Sequence, residues 1–231
     1  MVLYSNSDIS ADLVRWLGRS EISFVSEMES LQEEIIKKAD AAFAYFFAID
    51  FQYKTYLMQK VILDKKDAKY AYLFAQNIAG ADIKALQGIV LGSKKIKYIT
   101  QFACFVPKAD QKPLEAFISK SKNVKYIHMY VKHVKGTNIS KFKDIIIASG
   151  KPRYLFELAK HLTSKSEIEQ IENLIIQSKS FTYMRLFAEK IKLANVDKIE
   201  QAVLDSDNSE EIKKFAKYVH KSTMKKFLLM V

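Results

Sequence analysis

The side chains that do acid–base, nucleophilic or metal chemistry are few in this chain, and their spacing keeps them apart. There are four histidines and one cysteine, Cys104. His128 and His133 stand five residues apart, so on one helix they point in different directions and make a poor metal pair. No CxxC spacing accompanies Cys104, which reads as an idle or buried thiol. A lone cysteine forms no intramolecular disulfide, which suits a reducing cytoplasm. Glu167, Glu169 and Glu172 crowd together, but at the start of a helix, where acids complement the dipole. No glycine-rich phosphate loop is present. These residues point to a protein that binds rather than catalyses, with no metal or cofactor. The abundant chemistry is cationic. Lys+Arg 37 against Asp+Glu 26 gives a net charge of +11, and only four of the basic residues are arginine. An acidic partner is what such a chain offers to meet.

Cations need a scaffold to position them, and the composition supplies one. With 231 residues, 49% hydrophobic and 12% aromatic, the chain can bury a sizeable core. Six glycines and three prolines are too few for a many-turned β-sandwich or barrel. No uncharged apolar run of about 18 residues occurs, which argues against a membrane span. Met1 to Ala11 lacks the layout of a signal peptide. The expectation is a mostly helical, cytoplasmic protein with no membrane partner.

Written in lines of 28, the chain repeats itself from Asp67, with lines starting at Lys95, Asn123 and Lys151 and, after one inserted residue, Ser180 and Asn208. Position 4 reads Tyr70, Tyr98, Tyr126, Tyr154 and Tyr183. Position 8 reads Phe74, Phe102, Tyr130, Leu158, Phe187 and Phe215, and position 12 is always aliphatic, from Ile78 to Val219. Positions 4, 8 and 12, with 5 and 9, form the apolar stripe of a first helix. Position 16 reads Asp82, Asp110, Asn138, Ser166, Asn195 and Thr223, each able to cap a second helix, and Ser166 with Glu169 has capping-box spacing. A second stripe follows, as in Leu86, Ile89 and Val90, and the lines close on Ser93, Ser121, Ser149, Ser178 and Ser206. Asp67, Asn123, Ser180 and Asn208 can cap the next first helix.

Upstream, 40–66 fits one line with a residue deleted, and 1–39 reads as a divergent first unit. There Ser26 with Glu29 suggests a capping box, and Ser7 to Gly18, with Trp16, a helix. The repeats are then 40–66, 67–94, 95–122, 123–150, 151–179 and 180–207, with a final unit at 208–231. No Gly-, Pro- or Ser-rich linker divides them, so 1–231 reads as a single domain. Each pair is too small to bury its own apolar faces, so neighbours must stack. The expected fold is an all-α solenoid of about eight antiparallel helix pairs.

This pattern resembles the superhelical αα-repeat proteins, the class that holds tetratricopeptide and HEAT-like arrays. The likeness is architectural: the unit is shorter than a tetratricopeptide's roughly 34 residues and lacks its Trp-Leu-Gly signature. What the resemblance implies is a binding scaffold with an extended concave face.

On the first helices, positions 3, 6, 10 and 13 are expected to share an exposed face. Position 3 reads Lys69, Lys97, Lys125 and Arg153 in four successive lines. The same face should carry His128, Lys132 and Lys135, then Phe156 and Lys160, then Arg185 and Lys192. Lys95 to Gly150 holds eleven lysines against three acids, whereas the first 66 residues hold eight basic and ten acidic. This face is expected to engage a protein partner. The alternative is RNA or DNA, with lysines on phosphates and Phe156, His128 or Tyr72 stacked on a base. A third reading is a HEAT-like DNA glycosylase, for which Glu157 is flanked by Phe156 and Lys160 but has no recognisable motif around it. His133 and His161 share position 11 of adjacent lines and could become neighbours. Phe227, Leu228, Leu229, Met230 and Val231 close the chain, and a helix cannot point all five inward. Leu228, Leu229 and Met230 are therefore expected to face a second copy, as a homodimer, or another protein.

Overall fold

The computed structural model describes residues 21–220, 222 and 223, and among these every regular element is helical. Contacts divide the chain into two compact units, residues 1–121 and 122–231. The boundary follows Ser121, the closing residue of a 28-residue line, where no change of composition marks it.

The first unit contains α1 (Glu21–Lys38), α2 (Ala41–Phe51), α3 (Thr55–Lys65), α4 (Ala68–Asn77), α5 (Ile83–Gly92), α6 (Ile96–Phe105) and α7 (Gln111–Lys120). Neighbours pair as α2 with α3, α4 with α5 and α6 with α7. Like packs on like between pairs: α2, α4 and α6 touch in succession, as do α1, α3 and α5. The second unit contains α8 (Val124–His133), a 3-10 turn (Ile139–Phe142) running into α9 (Lys143–Ala148), α10 (Pro152–Ala159), α11 (Lys165–Gln177), α12 (Phe181–Lys190), α13 (Val196–Leu204) and α14 (Ser209–Tyr218). Here α10 pairs with α11 and α12 with α13, while α10, α12 and α14 form one row.

The cores follow the stripes. Position 8 is sealed in every line, from Phe74 at 1% exposure to Phe102 and Phe187 at 0%. Position 5 is closed in the first five lines, with Ala71, Ile99, Ile127 and Leu155 at 0%, and half-buried at Ile212 in the last. The second helices bury Leu86 and Val90, Leu114 and Ile118, Phe142 and Ile146, Ile171 and Ile175.

The caps also form. Asp67 accepts from the amides of Lys69 and Tyr70, Asp82 from Ala85, Asp110 from Lys112 and Asn195 from Lys198. Each closing serine turns the chain from one line to the next. Its hydroxyl donates to the carbonyl three residues back, as Ser93 to Val90 (2.7 Å) and Ser178 to Ile175 (2.6 Å). The residue after it takes a left-handed backbone, and this is Lys94, Lys122, Gly150, Lys179 or Asp207.

Several expectations fail locally. Ser26 does not start a helix but lies inside α1, and Ser166 lies inside α11, whose cap is Ser164. Because α10 ends two residues early, at Ala159, the five-residue loop puts Ser164 at the start of α11, and the capping box at Ser166 and Glu169 is not made. The position-4 tyrosines are half-buried rather than sealed. The segment Ser7 to Gly18 with Trp16, and the terminal Leu228, Leu229 and Met230, lie outside the described residues.

Candidate binding face of the first helices

Position 3 directs its cation over the ring of the tyrosine that follows. In the first unit Lys69 Nζ stands 4.7 Å from the Tyr70 centroid and Lys97 Nζ 5.3 Å from that of Tyr98. In the second, Lys125 lies 5.7 Å from Tyr126 and Arg153 6.0 Å from Tyr154. Half-burial of the tyrosine is what makes this possible, since one side of the ring packs while an outer side meets the cation.

Position 6 behaves differently from its expectation. Phe156 is 6% exposed, Tyr72 7% and Thr100 0%. The side chain at this position reaches across to the next first helix and packs on its position-4 ring. Tyr45 lies 5.9 Å from Tyr70, His128 5.3 Å from Tyr154 and Phe156 6.2 Å from Tyr183. Position 6 is therefore a rung between neighbouring helices, and Phe156 and Tyr72 offer no open ring for a base. A spacing of three and four residues places position 6 on the same helix side as position 3, but a close neighbouring helix covers the part of that side nearest to it.

The cations themselves remain outside. Lys97, Lys125, Lys132, Lys135, Arg153, Lys160 and Lys192 are exposed, while Arg185 is half-buried with its guanidinium 4.9 Å from the Tyr218 ring. Among the described residues, Lys125, Lys132, Lys135, Arg153 and Lys192 take part in no ion pair. Lys160 differs, bonding Glu157 at 2.9 Å and lying 4.7 Å from the Phe156 ring. Glu157 is thus engaged by a lysine three residues on. Burial holds the His128 pKa below its usual value, against the pull of Glu157, and Arg153, Lys132 and Lys160 push the same way as burial.

The remaining chemical candidates are quiet. Burial pushes the Cys104 thiol up to about 12, far from thiolate reactivity. His133 and His161 are both exposed. Among the described residues, no group of three or more His, Cys, Asp and Glu is placed to hold a metal, and no helix is long and apolar enough to cross a membrane.

Sequence reasoning missed one column, eight residues before each new line: Gln59, Gln87, Glu115, Lys143, Glu172 and Glu200. Within each unit, Gln59, Gln87, Lys143, Glu172 and Glu200 fasten one second helix to the start of the next. Gln59 Oε1 accepts from the Asp82 amide (2.8 Å). Gln87 accepts from the Asp110 amide and donates to its carbonyl, both at 2.9 Å. Glu172 accepts from the Asn195 amide (2.7 Å), Glu200 from the Thr223 amide (3.0 Å), and Lys143 instead bonds the Glu167 carboxylate (2.7 Å). Counting lines from their closing serine rather than from their start would have aligned the column, because the inserted residue then falls outside it.

Comparison with protein families, curated proteins and solved structures returns no match to this chain.

Proposed function

We propose that the chain is a non-enzymatic α-solenoid scaffold whose first-helix face holds a protein partner. One observation carries this reading: Lys125, Lys132, Lys135, Arg153 and Lys192 are exposed and in no ion pair among the described residues, while the aromatic residues beneath them are covered or engaged. Single-stranded nucleic acid gains much of its affinity by stacking bases on open rings. A face of lysine point charges without such rings suits a partner's carboxylates instead.

The second reading, RNA or DNA, draws on the lysine excess between Lys95 and Gly150, since phosphates ask only for charge. Two measurements separate them. Affinity capture from the native host, with the parent and with Lys125→Glu, Lys132→Glu and Arg153→Glu combined, should show proteins retained by the parent and lost by the variant. Titration with labelled single- and double-stranded RNA and DNA at about 50 mM salt should show no tight binding. Steeply salt-dependent binding that the same variant abolishes would transfer the face to nucleic acid.

A further inference from the structure

Clefts recur where the turns of neighbouring helix pairs meet. In the first unit one of about 230 Å³ lies between the α2–α3 turn and the end of α4. Another, about 350 Å³, lies between the α4–α5 turn and Pro107 and Lys108. The second unit has a larger one, about 450 Å³, between the loop after α10 and the turn after α12. It has the size of pockets that take small ligands or short anchors.

Two irregularities build this cleft. The first is that α10 spans eight residues where α4, α6, α8, α12 and α14 span ten, so its loop begins early at Lys160. The second is Leu193, at a turn position where Gly80, Lys108 and Gly136 adopt a left-handed backbone. Leu193 is 42% exposed, an apolar side chain left facing the opening. The floor is Leu162, Ile168 and Ile191, and the rim is Lys160, Lys190 and Lys192. No carboxylate lines it. The two clefts of the first unit also lack a carboxylate but carry less charge, one having Lys108 as its sole charged lining residue and the other none. Lys160 and Lys190 each pair with a glutamate of their own helix, at 2.9 and 2.8 Å. Such surface pairs are worth little and exchange readily for an incoming carboxylate.

From this we infer that the cleft between the α10 loop and the α12 turn receives a short extended segment of a partner protein, one large apolar side chain flanked by Asp or Glu. The inference rests on the protein-partner reading and names the partner's chemistry. The apolar side chain covers Leu193 and fills the floor, and the flanking acids meet Lys160, Lys190 and Lys192. An apolar anchor supplies affinity and the charges supply selection, since a basic or neutral segment leaves three lysines unmatched.

The test is selection of a displayed random heptapeptide library against the whole chain, followed by fluorescence polarisation with the enriched peptides. Enriched peptides should place acids beside Leu, Ile or Phe. Their dissociation constant should rise about tenfold on Lys192→Glu and about fivefold on Leu193→Gln. Both substituted residues are exposed, and an unchanged circular dichroism spectrum confirms that each variant folds. Lys84→Glu, at an exposed position on α5 that is no part of the first-helix face or of this cleft, should leave peptide affinity within about twofold. No enrichment, peptides without acids, or indifference to both cleft variants overturns the assignment. Displacement of the peptide by an RNA or DNA 20-mer overturns it as well, in favour of a polyanion. The scaffold reading falls separately, only if the Lys125, Lys132 and Arg153 variant still retains every protein that the parent retains.

Discussion

The two units solve one fastening problem with different side chains. In the first, Gln59 and Gln87 hold the amides of Asp82 and Asp110; in the second, Glu172 and Glu200 hold those of Asn195 and Thr223. Gln87 both accepts and donates, so it satisfies the amide and the carbonyl of Asp110 together. A carboxylate can only accept. Glu172 is 1% exposed, and its Oε1 receives no hydrogen bond from the described residues, the Lys198 ammonium standing off at 3.7 Å. Burial, the largest influence, holds its pKa above the usual carboxylate value, against the Asn195 amide and Lys198. Gln87 and Glu172 therefore do one job with unequal charge: burial disfavours the ionised form of Glu172, while Gln87 has no charge to bury.

The largest expected effect tests whether the units differ only there. Phe102 and Phe187 occupy the same position 8 in different units, both at 0% exposure. Truncating either to alanine should cost about 3–5 kcal/mol, through lost transfer energy and the cavity left behind. Urea midpoints of the two variants should fall alike. A clearly smaller loss at Phe187 would show that the second unit is already loosely packed, and the contrast would lie in the core instead.

That pair was legible in advance, and the reason separates what a sequence displays from what it hides. Position 8 recurs with one type of residue because it meets the same surroundings in every line. Asp67 and Asp82 were legible as caps because a single side chain closes a local bond. Phe156 was not, because its burial depends on how near the next first helix comes, a distance that no spacing within one helix encodes. Ser166 misled because α10 stops two residues early and the helix start follows Ser164. The fastening column stayed hidden since Gln, Glu and Lys on a second helix look like a solvent face until the next pair covers them. The lysine rim of the cleft was half visible: Lys160 and Lys192 were singled out for charge, while Leu193 stands out only once its exposure is known.

A medium effect addresses the fasteners directly. Gln87→Leu should cost about 1–3 kcal/mol, because the Asp110 amide loses its acceptor in a half-buried place. Glu172→Gln should act in the opposite direction at pH 7.5, stabilising by up to about 1 kcal/mol by adding a donor and removing a buried charge. The pH dependence follows from the sign of the shift. A carboxyl whose folded pKa is raised binds protons more readily in the folded state than in the unfolded one. Its destabilising share is absent below the ordinary value of 4.5 and complete above the raised folded value. The gap in urea midpoint between parent and Glu172→Gln should therefore narrow as pH falls from 7.5 to 5. A gap that stays constant would mean that Glu172 titrates alike in both states, and the contrast between units would lose its electrostatic basis.

The smallest effect concerns the turn after each closing serine, where the two units are expected to agree. Lys94 and Lys179 hold left-handed backbones, with φ of 56° and 53°, and Gly150 does the same at 60°. Glycine relieves a strain of roughly 1–2 kcal/mol that a side chain incurs there. It also loosens the unfolded chain, which takes back about 0.4–1 kcal/mol. A lysine at a helix C-terminus adds a further 0.3–1 kcal/mol, roughly, by opposing the dipole, and glycine forgoes it. The three contributions nearly cancel, so Lys94→Gly and Lys179→Gly should each shift stability by less than about 0.5 kcal/mol at low salt. Salt screens only the dipole contribution. Both variants should therefore gain on their parent as salt rises from about 20 mM to about 500 mM, by a few tenths of a kcal/mol. A gain at Lys94 but not at Lys179 would show that the second unit's turn is held by something other than local backbone preference.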